Sequence, residues 1–178
     1  MTKVTTRHAN QNDVTINTIE RIVELVNDVY NDAENGMWKI NDGRVNNQIA
    51  RKLLEEKKLI LAEIDDKIVG SLLYNPMKNE TCEFGMLVAD RLYRSKGIGS
   101  ALVTTIETWA LNNGFNTMRL ELLTPRTWDH PSKEFLKDWY TRLGYKPQHT
   151  VPFEEKYPSR INDMATECDF TVWLKDIS

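Results

Sequence analysis

Cysteine, glycine and proline are all scarce in this sequence. Its two cysteines, Cys82 and Cys168, form no Cys-x-x-Cys pair and have no histidines at ligand spacing. A zinc site is therefore not indicated, and we expect two buried free thiols. The 178 residues contain only 8 glycines and 6 prolines, with no Gly/Ser-rich linker. Because this length suits one globular unit, we expect a single domain over residues 1–178.

Long apolar runs and an excess of basic residues are also missing. The longest apolar runs, such as Leu59 to Ala62, are far shorter than the roughly 18 residues of a membrane span, and residues 1–14 lack the apolar core of a secretory signal. Lysine and arginine total 23 against 26 acidic residues, a formal charge of -3. That balance argues against the broad basic face that nucleic acid or an anionic membrane attracts. We therefore expect a soluble cytoplasmic protein with neither partner.

Helical and strand-like patterns alternate along the chain, which is typical of an α/β or mixed α+β fold. Apolar residues recur at spacings of three and four in four segments, which predict helices near residues 19–30, 45–54, 98–110 and 135–143. Apolar runs of strand length predict strands at residues 4–9, 59–64, 68–74, 82–89, 118–123 and 165–174. The polar break from Asp65 to Lys67 predicts a hairpin between the second and third strands.

The most informative segment runs from Arg94 to Ser100 (RSKGIGS), between a predicted strand and a predicted helix. Glycines at 97 and 99 let the backbone approach a ligand, and free N–H groups at a helix start carry partial positive charge. Arg94 and Lys96 add formal charge. The segment predicts a site for an anion such as a diphosphate, and a tight turn with solvated basic residues is the alternative.

This segment and two others give the chain a resemblance to the GNAT superfamily of acyl-CoA-dependent N-acetyltransferases. Residues 83–90 (EFGMLVAD) and 94–99 (RSKGIG) resemble the family's fourth strand and its pyrophosphate loop. Residues 139–145 (WYTRLGY) are similar to the family's later aromatic signature. Arg91 stands where the family often has proline, and Lys133 stands where many members have an asparagine.

The resemblance implies a mixed, mostly antiparallel sheet of about six to seven strands, splayed between strands 4 and 5, with about four helices. It implies that acetyl-CoA, the co-substrate, lies in the opening and that no metal is used. The residues implied to hold acetyl-CoA are Leu87, Val88 and Ala89 through their backbone, and Arg94, Ser95, Lys96, Gly97, Ile98, Gly99 and Ser100 around the diphosphate.

The implied activity is transfer of the acetyl group from acetyl-CoA directly to an amine of a small molecule or peptide. A GNAT-fold protein that senses acyl-CoA without turnover is the alternative, and a homodimer stays open. Such a transfer needs a base for the amine and a proton donor for the departing thiolate. The resemblance places Glu83 at the position of the family's general base and Tyr140 at that of its tyrosine acid.

The sequence around Glu83 and Tyr140 is compatible with these catalytic roles and also with purely structural roles. On a strand of period two, Glu83 shares a face with Gly85, Leu87 and Ala89, where desolvation raises the pKa of a carboxylate. A solvated carboxylate at a strand end is the alternative for Glu83. For Tyr140 the alternative is an aromatic in the core, beside an apolar stripe on its helix formed by Phe135, Leu136, Trp139 and Leu143.

Further candidates lie on the next strand and in the loops. Glu121 is the second candidate base, and His130 is a third. Trp38, Trp128, Asp129 and His130 are candidates for binding the acceptor, because the loop after the fifth strand is expected to border the acceptor site. Acidic residues in two framing loops suggest a preference for a cationic amine, although solvated loops are the favoured explanation of the same residues. These residues are Asp32, Glu34, Glu154, Glu155 and Asp163.

Overall fold

The computed structural model describes residues 3–40 and 42–178. Seven strands in this part of the chain form one sheet: β1 (Thr5–His8), β2 (Leu59–Ile64), β3 (Lys67–Pro76), β4 (Thr81–Ala89), β5 (Thr117–Pro125), β6 (Lys146–Pro152) and β7 (Cys168–Asp176). Their order across the sheet is β1-β2-β3-β4-β5-β7-β6. All neighbours are antiparallel except β4 and β5, which are parallel. The predicted mixed, mostly antiparallel sheet is confirmed.

Helices cover both faces of the sheet. They are α1 (Ile16–Ala33), α2 (Asn47–Glu55), α3 (Ile98–Asn112), α4 (Pro131–Arg142) and the short α5 (Phe153–Lys156). Helices α1 and α2 bury Ile22 and Leu54 against one face, and α3 and α4 bury Ile106 and Tyr140 against the other. Within the described ranges, no helix is both long enough and apolar enough to cross a membrane.

Strands β4 and β5 separate soon after they begin. Residues 81–83 pair with residues 117–119, and no pairs join the two strands beyond that point in the described chain. Residues 84–89 and 120–125 therefore each present an unpaired backbone edge to the space between them. The predicted splay is confirmed, and it opens the sheet next to the start of α3.

A β-bulge in β4 lies beside this opening. Met86 and Leu87 together oppose the single residue Leu72 of β3, and Met86 has a φ of 48°. An extra residue in one strand reverses which face the following side chains point to. Met86 accordingly packs with the core under α1, whereas Leu87 packs with the core under α3.

The bulge overturns one sequence-based expectation about Glu83. Phe84 packs under α3, so Glu83, its neighbour, points to the opposite face. Leu87 and Ala89 follow the bulge and pack under α3. The expectation that Glu83 shares a face with Leu87 and Ala89 is therefore wrong, because strict alternation fails where the extra residue is inserted.

Other local predictions can be compared directly. The β2–β3 hairpin is confirmed, and Asp65 and Asp66 take φ values of 49° and 59°, which fit a tight primed turn. The exposed edge strand β6 was not predicted from the sequence, because its residues show no apolar alternation. Cys82 and Cys168 are buried free thiols, as expected, and burial raises the pKa of each to about 11.

Candidate active site

A cavity of about 820 Å³ occupies the opening between β4 and β5. Its walls come from both splayed strands, the segment from Arg94 to Ser100, the inner face of α4 and the end of α1. Seven consecutive predicted site residues, Arg94 to Ser100, line it, as do Leu87, Ala89 and Tyr140. Val88 lies between Leu87 and Ala89 but turns its side chain into the core under α1. The splay thus brings the main sequence motifs to one space.

The start of α3 has the features of an anion-binding site. Gly97 is its N-cap in a left-handed conformation (φ 73°), and no side chain in the described structure caps this helix start. The first N–H groups of a 15-residue helix are therefore free to bind a ligand, and the helix dipole favours negative charge there. A β-carbon on Gly99 would lie 3.3 Å from Cη2 of Trp139, so glycine lets α4 pack close to this helix start.

Tyr140 lies in α4 with its ring enclosed by other aromatics. The ring centroids of Trp139, Tyr145 and Phe84 lie 5.1, 5.9 and 6.2 Å from its own. Tyr140 is only 6% exposed, yet it lines the cavity. Burial raises the pKa of Tyr140 well above its ordinary value of 10.0. The phenol therefore keeps its proton at neutral pH. Phe135, placed on the buried stripe by the sequence, is 60% exposed at the cavity wall.

A line of alternating charges connects β4, β5 and α5. Arg119 forms ion pairs with both Glu83 and Glu121, and Glu121 also contacts Lys156. Burial alone would raise the pKa of Glu121, but Lys156 and Arg119 outweigh it and hold that pKa below 4.5. Glu121 lines the cavity, whereas Glu83 is not among the lining residues. The two candidate bases are thus linked through one guanidinium, and Glu121 is the one that faces the cavity.

A second charged cluster lies in the wall of the cavity, where α1 meets α4. The Glu34 carboxylate lies 3.2 Å from Lys133 Nζ and 3.5 Å from Arg44 Nη1, and it accepts a 2.7 Å hydrogen bond from Trp38 Nε1. Lys133 and Glu34 are 3% and 5% exposed. Burial lowers the pKa of Lys133, and Glu34 opposes that change.

This cluster was not predicted from the sequence. The available signal was the lysine itself, which lies three residues before Leu136 and seven before Tyr140 on α4, on the face turned toward the cavity. A lysine on such a face requires a buried partner. Its partner, Glu34, follows α1 far away in the sequence, so spacing alone did not identify it.

None of the four predicted acceptor-binding residues lines the cavity within the described ranges. His130 caps α4, accepting from the Ser132 N–H at 3.2 Å through Nδ1 and donating to the Asn35 carbonyl at 3.1 Å through Nε2. Trp128 donates to Thr166 Oγ1 at 3.2 Å. Asp129 is exposed, and Trp38 donates a hydrogen bond from Nε1 to the Glu34 carboxylate.

The acidic residues of the framing loops are largely neutralised by basic neighbours. The pairs and their N–O distances are Glu34–Lys133 at 3.2 Å, Asp32–Arg91 at 3.4 Å, Glu154–Arg126 at 3.1 Å and Asp163–Arg160 at 3.1 Å. The electrostatic basis for expecting a cationic acceptor is therefore absent from these four residues.

Comparison with known proteins gives one family. Residues 20–145 match the model of the Acetyltransferase (GNAT) family. An aminoglycoside 6′-N-acetyltransferase solved with coenzyme A has a TM-score of 0.73, with 16% identity over 98% of this chain and 97% of that one. An N-acetyltransferase from Staphylococcus aureus Mu50 has a TM-score of 0.69, with 16% identity over 99% of both chains.

A third similar structure is a ribosomal-protein-alanine N-acetyltransferase from Brucella melitensis. Its TM-score is 0.69, with 16% identity over 97% of this chain and 99% of that one. No curated protein matches the chain. At these identities the structural matches establish a shared fold, and the family match extends over most of the chain.

Proposed function

The chain belongs to the acetyltransferase (GNAT) family, and on that basis we propose that it transfers the acetyl group of acetyl-CoA directly to an amine of a small molecule or peptide. The observation that carries the proposal is the convergence of an uncapped helix start and two splayed strand edges on one cavity. The aminoglycoside acetyltransferase of similar fold was solved with coenzyme A, which supports the choice of co-substrate.

The residues of the cavity fit acetyl-CoA, which supplies an activated acetyl group as a thioester. The free N–H groups at the start of α3, with Arg94 and Lys96 beside them, suit a diphosphate. The unpaired backbone edge of β4 from Leu87 to Ala89 suits a chain of amide groups, because it offers both donors and acceptors. Gly97 and Gly99 keep side chains out of this path.

Glu121 and Glu83 are the candidates for receiving the amine proton. Lys156 and Arg119 hold the pKa of Glu121 below its ordinary value, so this carboxylate can hold an ammonium group and accept its proton directly or through water. Glu83 contacts the same guanidinium from the other side. The position of Glu121 in the cavity wall favours Glu121 for contact with the acceptor. Glu83, the base implied by the family resemblance, then acts through Arg119 or a water molecule.

Tyr140 is the proposed proton donor. In the overall transfer a nitrogen–carbon bond forms, a carbon–sulfur bond breaks, one proton leaves the amine and one proton reaches the thiolate. The buried phenol remains protonated at neutral pH, so it holds a proton for the thiolate.

The test is a thiol-release assay with acetyl-CoA across a panel of amines. Release of CoA above the rate without amine supports the proposal. Binding of acetyl-CoA without such release would make the protein an acyl-CoA sensor and would contradict it.

The base is assigned by comparing Glu121→Gln and Glu83→Gln in pH–rate profiles, with the exposed Glu20→Gln as matched control. Loss of the acidic limb in Glu121→Gln alone assigns the base to Glu121. Loss in Glu83→Gln alone assigns it to Glu83, and a limb that persists in both excludes both carboxylates.

A further inference from the structure

The end of the cavity that holds Glu34, Arg44 and Lys133 has more positive than negative charge. Lys133 and Arg44 both approach the single carboxylate of Glu34, and all three side chains line the cavity. The Arg44 guanidinium also lies over the Tyr30 ring, 4.6 Å from its centroid, which fixes its position. The sum over this cluster is one positive charge.

Neighbouring groups do not cancel that charge within the described structure. The chain Glu83–Arg119–Glu121–Lys156 contains two carboxylates and two cations, so it is neutral as a whole. Asp32, an acidic residue of the cavity wall, shares Arg91 with Asp28, so these three groups carry one negative charge. Both aspartates are more than half exposed, and solvent screens their effect on the buried Lys133, which therefore keeps an excess of positive charge around it.

Two further features make this end of the cavity suited to an anion. Lys133 is the third residue of α4, where the helix dipole adds positive potential to that of the ammonium. Its Nζ carries three N–H donors, and the described structure gives it one hydrogen bond, to Glu34. A nine-tenths-buried cation with spare donors therefore faces a cavity of about 820 Å³.

We infer that the acceptor is a small amine that also carries a carboxylate, and that this carboxylate binds to Arg44 and Lys133. The inference rests on the proposed function and names its substrate class: amino acids and related amino carboxylates. The carboxylate would neutralise the excess charge and occupy the spare donors of both cations. The reacting amine would lie on the side of Glu121 and Tyr140, which line the same cavity. This assignment replaces the expectation of a cationic acceptor.

The experiment compares acceptors that differ in the carboxylate alone. The standard amino acids, β-alanine and γ-aminobutyrate are each assayed beside the corresponding carboxamide, and kcat/KM is measured by thiol release. We expect the best carboxylate to exceed its carboxamide by about 10- to 100-fold, the usual range for a charge-assisted hydrogen bond. The amine of an amino acid amide is less basic and so more often neutral at pH 7, which rules out amine reactivity as the cause of that preference.

Variants then locate the carboxylate site. Arg44→Gln and Lys133→Met should each reduce the preference about tenfold or more. The matched control is Arg160→Gln, because Arg160 lies over the Trp38 ring but outside the cavity wall. It should leave the preference unchanged. A preference that survives in both Arg44→Gln and Lys133→Met overturns the inference, as does a panel in which carboxamides equal or exceed carboxylates.

Failure of the proposed function is distinguishable. If no amine releases CoA, the proposed function fails, and isothermal titration with the same amino carboxylates then decides the inference. Binding to the parent protein that is lost in Arg44→Gln and kept in Arg160→Gln supports a carboxylate site. No binding of any amino carboxylate to the parent overturns it.

Discussion

The buried pair of Glu34 and Lys133 predicts an asymmetric response to charge removal. In Glu34→Gln the Lys133 ammonium stays buried and loses its only counter-charge in the described structure. Removing one member of a buried ion pair costs about 3–5 kcal/mol of unfolding free energy. In Lys133→Met the Glu34 carboxylate keeps Arg44 and the Trp38 N–H. We therefore expect that variant to lose only about 1.5–3 kcal/mol, the value of one charge-assisted hydrogen bond.

These energies convert into measurable melting temperatures. A chain of 178 residues shifts by about 2–4 °C per kcal/mol. We expect losses of about 6–20 °C for Glu34→Gln and about 3–12 °C for Lys133→Met. The assay is thermal and urea unfolding followed by circular dichroism. Glu55→Gln is the matched control, because its pair with Arg51 is half-exposed and 3.9 Å long, and it should shift stability by less than about 1 kcal/mol.

The pH dependence gives an independent readout. In Glu34→Gln the folded protein disfavours charged Lys133, so the unfolded chain binds more protons below the ordinary lysine pKa of 10.5. Stability of this variant relative to the parent should therefore recover as the pH rises toward that value. The reasoning is refuted if Lys133→Met costs as much as Glu34→Gln, or if the gap between Glu34→Gln and the parent does not narrow at higher pH.

Three further predictions concern the cavity. Acetyl-CoA at 100 times its Kd should raise the melting temperature of the parent by roughly 5–10 °C, and Gly99→Glu should remove most of that shift by placing bulk and negative charge at the start of α3. Tyr140→Phe should lower turnover by about 10²- to 10⁴-fold, whereas acetyl-CoA affinity, measured by calorimetry, should change by less than about threefold. Full activity of this variant would mean that Tyr140 serves only as an aromatic residue of the core. The pKa of folded Glu121 lies below 4.5, so its contribution to stability is present above that pH and is lost as the pH falls through the folded value. In Glu121→Gln the free energy of unfolding should therefore fall less steeply between pH 5 and 3 than in the parent. An unchanged slope would contradict this.

Local patterns in the sequence were sufficient for the parts of the fold with local causes. The segment from Arg94 to Gly99 combines glycines with basic residues before an apolar helix, and all its residues line the cavity. The turn at Asp65 and Asp66 separates two apolar runs and forms a hairpin. Each depends on residues that are close in sequence, which is why spacing identified them.

Long-range packing decided the parts that were not predicted. The pairing of Glu34 with Lys133 joins positions 99 apart, and a loop glutamate gives no sign that it will be buried. His130 is a candidate base by residue type, because histidine side chains can exchange a proton near neutral pH. In the structure its two ring nitrogens instead accept from the Ser132 N–H and donate to the Asn35 carbonyl. The bulge at Met86 directly follows Gly85, and a glycine inside a strand pattern is a signal for a bulge, but alternation was extended through it incorrectly.

The short ladder between β4 and β5 also affects cooperativity. Three residue pairs join a four-stranded unit, β1 to β4, to a three-stranded unit, β5 to β7. Backbone amides along the open edges exchange with solvent more readily than those within either unit, since cross-strand bonds do not protect them. A ligand that bonds to both edges would join the two units as a missing strand does. Binding of such a ligand would then slow amide hydrogen exchange along both strands, including at residues that the ligand does not contact.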